Sequence, residues 1–117
     1  MKLIKFAQIT AVTAMAAILS TGAHARGTAT GTVDKITASG SVTNIFLSES
    51  ITAVTGETIP SCSTRDDFFT LASDQKNQLA IILTALALGS EVKINGNGQC
   101  NNKSNAEDIS SVQVIGG

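Results

Sequence analysis

The sequence predicts one small domain that is mainly β with a single helix, an α+β chain whose elements run β-β-β-α-β-β. Three observations carry this prediction. Thr- and Val-rich segments bounded by turn residues predict strands on both sides of the chain centre. A run near residue 80 has apolar residues at helical spacing and ends in glycine. The only two cysteines flank this run, as in small domains that a disulfide stabilises.

The amino terminus has the three parts of an export signal. Two lysines precede an apolar run over residues 6–19, and Ala23-His24-Ala25 supplies the small residues that a signal peptidase reads. We expect cleavage after Ala25, leaving residues 26–117 as a single domain in the periplasm or secreted. The apolar run is shorter than the roughly 20 residues that cross a bilayer, so no membrane span is predicted.

The two cysteines, Cys62 and Cys100, predict a disulfide because the chain is expected in an oxidising compartment. Closing a loop of about 39 residues would stabilise the domain by about 4 kcal/mol in the chain-entropy model. A redox pair or a metal site is the alternative. The chain has no Cys-x-x-Cys spacing, and its one histidine, His24, lies in the signal. We therefore predict no metal and no cofactor.

Turn residues divide the predicted strands. Ser39-Gly40-Ser41 would join the first two strands as a hairpin, and Thr55-Gly56-Glu57 forms a later turn. The segment 101–108 is predicted to be a polar, exposed and mobile loop. Ile51–Val54 either continues the second strand after a bend or makes a short strand of its own. The predicted strands are otherwise Thr28–Ser39, Val42–Ser48, Asp67–Ala72, Glu91–Asn95 and Ile109–Ile115.

The helix is predicted over Asp74–Leu88, with Ser73 capping its first turn and Gly89 ending it. One stripe of apolar residues at helical spacing would face the domain core, and it consists of Leu79, Ile82, Leu83 and Leu86. A second apolar face populates much of the remaining circumference, which is unusual for a surface helix. This face meets either the domain's own core or a neighbouring subunit, and we favour the neighbour. The predicted interface residues in a homo-oligomer are Ile81, Ala85 and Leu88.

The composition excludes several function classes. After residue 25, six Lys and Arg residues stand against nine Asp and Glu residues, whereas a nucleic-acid partner requires a basic surface. No His or Lys is placed by a motif to activate a nucleophile, and neighbouring carboxylates at Asp66 and Asp67 would point to opposite faces. The chain is therefore predicted to act by binding and not as an enzyme.

A family resemblance supports this interpretation. The order of elements, with the helix between the third and fourth strands, is that of an OB-fold. The pattern of cysteine, helix, glycine, short strand and cysteine over residues 68–115 resembles small exported bacterial proteins, and these resemble the B subunits of AB-type toxins, such as the subtilase cytotoxin B subunit. The matching segments are Cys62, Phe69-Thr70-Leu71, residues 77–89, Val92-Lys93-Ile94, Gly98-Gln99-Cys100 and Ser111-Val112-Gln113-Val114.

The resemblance implies an OB-like, small Greek-key barrel and a ring-forming subunit, such as a pentamer, whose helices line a central pore. It further implies a glycan or host receptor as ligand and a catalytic partner subunit. No sugar-binding residue of the family can be carried over by position, so the ligand-binding residues are left unassigned. The alternative is a stand-alone periplasmic or secreted structural or interaction domain with no glycan ligand.

Overall fold

The structure is a computed structural model that describes residues 25–116. The predicted export signal, apart from Ala25, lies outside the described residues. Within the described part the chain is mainly β, with a helix after the fourth strand, and the short segment near residue 52 forms a strand of its own. The elements are β1 (Gly27–Ser39), β2 (Val42–Leu47), β3 (Thr52–Ala53), β4 (Phe68–Leu71), α1 (Lys76–Leu88), β5 (Glu91–Gly96) and β6 (Ile109–Ile115).

The strands form one antiparallel sheet in the order β4-β2-β1-β5-β6, with β3 beside β1. The long strand β1 is shared between two partners: its first half pairs with β5 and its second half with β2. The partner changes between Thr32 and Val33, and a shift in the register with β2 follows between Val33 and Lys35. β4 and β6 are the first and last strands of this order, and a parallel bridge joins Thr70 of β4 to Asp108, just before β6. The two ends of the strand order are therefore in contact.

The predicted hairpin of β1 and β2 is confirmed. The two strands pair in antiparallel register from Ser39 opposite Val42 to Val33 opposite Leu47. Gly40 in the turn has φ 62°, a left-handed conformation that glycine adopts without the steric cost of a side chain. The turn chemistry thus sets the register of the first two strands.

The hydrophobic core lies between the curved sheet and α1. All four residues of β4 are buried, because neighbours cover both faces of this short strand. The helix contributes Ile82 and Ala85, which are fully buried. The largest fully buried apolar side chains are Phe69, Ile45, Leu71, Ile82, Ile94, Ile109 and Val92.

The predicted cap of the helix at Ser73 is wrong. The helix begins at Lys76, the residue at its N-cap position is Gln75, and no side chain caps the first turn. The Gln75 side chain instead accepts a hydrogen bond from the Ala72 amide at 2.9 Å and donates one to the Ile109 carbonyl at 2.8 Å. Contacts to the neighbouring strands therefore position the start of the helix. Its predicted end is confirmed, since Gly89 is left-handed, with φ 68°.

The expectation of an exposed loop over 101–108 is wrong for its last three residues. Ala106, Glu107 and Asp108 are buried. The reason is that this segment runs alongside β4, where the Thr70 amide donates to the Glu107 carbonyl at 3.0 Å. The acidic side chains of Glu107 and Asp108 are consequently buried in the interior.

Candidate functional site

The solvent-facing side of α1 is apolar. From Asn77 to Ser90 the sequence has no charged residue. Leu88 is 73% exposed and Leu83 is 48% exposed, and smaller exposed fractions belong to two further large apolar side chains. An exposed apolar patch of this kind on a folded domain commonly marks an interaction site. We call this side the apolar helix surface. Its large side chains are Ile81, Leu83, Leu86 and Leu88, and helix geometry places Ile81 with Leu88 at one edge and Leu83 with Leu86 at the other.

The structure separates the three residues predicted to form an oligomer interface. Ile81 and Leu88 are exposed and belong to the apolar helix surface. Ala85 is wrongly assigned to it, because its exposed fraction is 0% and it packs in the core of its own chain. The correction follows from helix geometry, since Ala85 lies three residues after Ile82, on the same buried face.

The predicted disulfide between Cys62 and Cys100 is present, and it joins the β3–β4 loop to the β5–β6 loop. Further contacts hold the same region together. The backbone amides of Thr64 and Arg65 both donate to the Asn105 carbonyl, at 3.1 and 3.2 Å. The two loops are therefore linked by a covalent bond and by paired backbone hydrogen bonds.

A pocket of about 250 Å³ opens beside this linkage. Ile51 is buried, Ile59 packs against the core, and both line the pocket, which gives it an apolar wall. The remaining lining residues are polar or charged and come from the β3–β4 loop. They are Ser63, Thr64, Arg65 and Asp66.

Arg65 is held by its neighbours at the pocket's edge. Its guanidinium donates two hydrogen bonds to the Asp67 carboxylate, at 3.2 and 2.8 Å. It also lies 5.0 Å from the centre of the Phe68 ring, which stacks against Phe46 at 4.9 Å. Lys35 lies over the Phe46 ring at 4.5 Å. The two rings and two cations form a continuous stack that fixes the orientation of Arg65.

Among residues 25–116 the most deeply buried charged residue is Glu107, with an exposed fraction of 0%. It accepts hydrogen bonds from the backbone amides of Gly27 at 2.9 Å and Gly98 at 2.8 Å. A side chain at Gly96 would overlap it, so three glycines surround the carboxylate. The next residue, Asp108, accepts hydrogen bonds from the amides of Asn101 and Asn102. Together the two carboxylates fold the β5–β6 loop against β1 and β4.

Burial raises the pKa of Glu107 above its ordinary value. The amides of Gly98 and Gly27 oppose this shift in the pKa because they stabilise the ionised form. The Asp108 carboxylate raises the pKa further, and the Arg26 guanidinium lowers it. Arg26 is itself paired with Glu57 at 2.7 Å, so Glu107 has no cation in contact among the described residues.

This shift predicts a pH-dependent stability. A carboxyl group whose pKa is higher in the folded state than in the unfolded state contributes most below its ordinary pKa, and that contribution is lost as pH rises through the raised pKa. The free energy of unfolding of wild type should therefore fall relative to that of Glu107→Gln as pH rises from the ordinary glutamate range. Urea denaturation of both proteins across that range measures this, and a wild-type free energy of unfolding that stays level or rises relative to that of Glu107→Gln would contradict the assignment.

Sequence reasoning missed both Glu107 and the pocket. Glu107 and Asp108 directly precede an apolar strand, and glycines stand at positions 96 and 98. This combination is a weak indication of a close backbone approach to a side chain. The pocket residues have no common spacing, because Ile51 comes from the segment before β3 and the others from the β3–β4 loop. Among residues 25–116, no group of three His, Cys, Asp or Glu side chains is placed to hold a metal ion.

Comparisons with family models, with curated proteins and with solved structures found no match to this chain. Within the described residues, no helix combines the length and the apolar character needed to span a membrane. The described residues carry two candidate sites, which are the apolar helix surface and the pocket beside the disulfide.

Proposed function

We propose that the protein is an exported, non-enzymatic binding module that assembles into a homo-oligomeric ring through the apolar helix surface. Its role would be that of a receptor- or glycan-binding subunit in a toxin-like complex with a catalytic partner. The observation that carries the proposal is the exposure of Ile81, Leu83, Leu86 and Leu88 on one helix that has no charged residue between Asn77 and Ser90.

The strand arrangement supports an OB-like barrel for this module. The helix follows β4, the long β1 is shared between β2 and β5, and the Thr70–Asp108 bridge brings β4 beside β6. A small Greek-key barrel of the OB type has its helix in the corresponding place along the chain, and this fold commonly serves binding. Fold alone does not determine function, so the proposal depends on the helix surface and not on the barrel.

Apolar area explains why a second copy is the partner we propose. Fully burying a Leu or Ile side chain contributes about 1.5–3 kcal/mol relative to leaving it exposed. The four side chains are 38–73% exposed, so each would contribute only part of this, and their sum would offset part of the entropic cost of association. In a closed ring the contacts are heterologous, so one edge of each helix would meet the opposite edge of the next subunit's helix, and none of these helices would be left uncovered.

The experiment that tests the proposal introduces a charge at Leu88. This residue is 73% exposed, so a charged side chain there should leave the fold of the subunit intact. We expect Leu88→Asp to convert the oligomer into a folded monomer, because each ring would bury several unpaired charges. Light scattering reports the mass, and circular dichroism with thermal melting reports the fold.

Two further variants make the result specific. Leu88→Lys carries the charge that the carboxyl end of a helix favours, so it separates assembly from any loss of helix stability. Ser41→Asp places a charge on the exposed hairpin turn and should remain oligomeric. If both Leu88 variants keep the wild-type mass, the helix is not the interface. If wild type is itself a monomer, the stand-alone domain is the correct interpretation.

A further inference from the structure

We infer that Glu107 is the buried partner of a new amino terminus, the α-ammonium group of Arg26 that cleavage after Ala25 creates. Removal of the export signal then completes an ion pair inside the domain, and the folded state reaches its full stability only in the exported, processed chain. The inference rests on the export that the proposed function includes, and on cleavage after Ala25.

The bond expected to be cleaved lies close to the buried carboxylate of Glu107. The Gly27 amide donates to both carboxylate oxygens, at 2.9 and 3.2 Å. Because backbone nitrogens of consecutive residues are no more than about 3.7 Å apart, the Arg26 nitrogen lies within about 6.6 Å of the nearer oxygen. Cleavage therefore places a positive charge within reach of Glu107.

The Ala25 carbonyl group lies beside the same group of atoms. A Cβ at Gly98 would lie 2.6 Å from the Ala25 oxygen, and the Gly98 amide donates to Glu107 at 2.8 Å. Hydrolysis of the bond between Ala25 and Arg26 consumes one water molecule, whose oxygen stays on the Ala25 carboxylate, and it leaves the Arg26 nitrogen as an ammonium. Cleavage thus replaces a carbonyl group, which only accepts hydrogen bonds, by a cation with three N–H donors.

Two contacts hold Arg26 in place without using its backbone nitrogen. The Arg26 carbonyl accepts a hydrogen bond from the Val54 amide at 3.0 Å. The Arg26 guanidinium donates to the Glu57 carboxylate at 2.9 and 2.7 Å. Chain ends that are tied down in this way stay ordered. The new amino group is therefore expected to remain beside Glu107.

The Glu107 carboxylate lacks a cation in the chain that retains Ala25. It is fully buried, and its hydrogen bonds among residues 25–116 come from neutral backbone amides. The Arg26 guanidinium is paired with Glu57, and the Asp108 carboxylate disfavours a second negative charge nearby. A hydrogen bond between two charged groups is stronger than one from a neutral amide. The α-ammonium adds this stronger donor next to the carboxylate.

The pH dependence predicted above for Glu107 belongs to the chain in which the Arg26 nitrogen is part of a peptide bond. The ammonium lowers the pKa of Glu107, because it favours the ionised carboxylate. In the processed chain, the loss of stability with rising pH should therefore be smaller or absent. This holds up to about pH 8, where an unpaired α-ammonium loses its proton.

The test compares two oxidised proteins that differ only at the amino terminus. One begins at Arg26 and the other retains Ala25, and both are released from a fusion that leaves no further residue. We expect the Arg26 protein to have a Tm higher by about 5 °C or more near neutral pH. NMR titration should give a lower pKa for Glu107 in this protein than in the one that retains Ala25.

Two controls make the result specific to the ion pair. N-acetylation of the Arg26 protein restores a carbonyl group and removes the charge, so it should abolish both the gain in Tm and the lower pKa of Glu107. In Glu107→Gln, the proteins that begin at Arg26 and at Ala25 should have the same Tm. If Glu107→Gln does not fold, the acetylated protein decides alone.

Equal Tm values for the free and the acetylated Arg26 proteins would overturn the inference, and so would a gain in Tm that persists in Glu107→Gln. Amino-terminal sequencing of the exported protein separates this failure from that of the proposed function. A chain that begins at Arg26 without the gain in Tm refutes the ion pair and leaves the exported binding module intact. A full-length chain that is not exported refutes the proposed function, and an exported chain that begins at another residue refutes only the inference.

Discussion

Replacing both cysteines, in Cys62→Ala/Cys100→Ala, is expected to lower the free energy of unfolding by about 4 kcal/mol. The disulfide links positions that are 38 residues apart, so its loss releases a long loop in the unfolded chain. It also frees the two loops that it joins in the folded state. Single domains have a free energy of unfolding of only about 5–15 kcal/mol, so the variant should be close to unfolding at moderate temperature.

Guanidinium denaturation of oxidised wild type and of the double variant measures this difference. Reductant should destabilise wild type by a similar amount and leave the double variant unchanged, which controls for effects of the reagent itself. A difference smaller than about 1 kcal/mol would show that the loop is already restrained without the covalent link. In that case the backbone hydrogen bonds to Asn105 would be the main link between the two loops.

Substituting Gly96 by alanine is expected to destabilise the fold by about 3 kcal/mol. The φ angle of Gly96 is not in the left-handed region, so the cost comes from contact and not from backbone conformation. An added Cβ would lie 2.6 Å from one Glu107 oxygen and nearer still to the rest of the carboxylate. Side-chain ends can usually move aside. Glu107 cannot do so cheaply, because it is fully buried and bonded to two backbone amides.

Gly40→Ala is the matched control, since Gly40 is left-handed but has open space around its Cα. Its cost should be about 1 kcal/mol from backbone strain alone. The pair Gly96→Ala and Glu107→Ala provides a second check, because alanine at both positions removes the overlap. The double variant should lose less stability than the two single variants added together. Additive losses, or a Gly96→Ala cost no larger than that of Gly40→Ala, would contradict the proposed contact.

Local chemistry made much of the fold predictable. The Ser-Gly-Ser turn set the hairpin of β1 and β2, and Gly89 fixed the end of α1 to the residue. β6 was predicted with its observed limits, because turn and polar residues precede a run of alternating side chains. These features depend on residues that are close together in the sequence, where propensity and spacing are informative.

Long-range contacts account for what was not predicted. The helix starts at Lys76 because Gln75 bonds to Ala72 and to Ile109, and no propensity at Ser73 could indicate this. Glu107 and Asp108 have the composition of a surface loop, and only their backbone amide partners make their burial tolerable. Such partners are visible only once the strands are placed side by side.

The candidate site was predicted in part for the same reason. Helical spacing indicated apolar residues in excess of what the core requires, but it wrongly placed Leu83 and Leu86 in the core-facing stripe, since they are 48% and 39% exposed. Ala85 points inward because the sheet lies on its side of the helix, while Ile81 and Leu88 face solvent. The pocket combines Ile51 and Ile59 with the rim of the β3–β4 loop, and the disulfide was the one part of its surroundings that the sequence indicated.

The central claim is that the apolar helix surface is covered by other copies of the chain. The most direct measurement is the mass of the oxidised protein, lacking residues 1–25, by light scattering at micromolar concentration. The proposed ring predicts a mass several times that of one chain, near five times for a pentamer, and a return to one chain in Leu88→Asp. A wild-type protein that is monomeric across the concentration range would contradict the claim and leave a stand-alone binding domain.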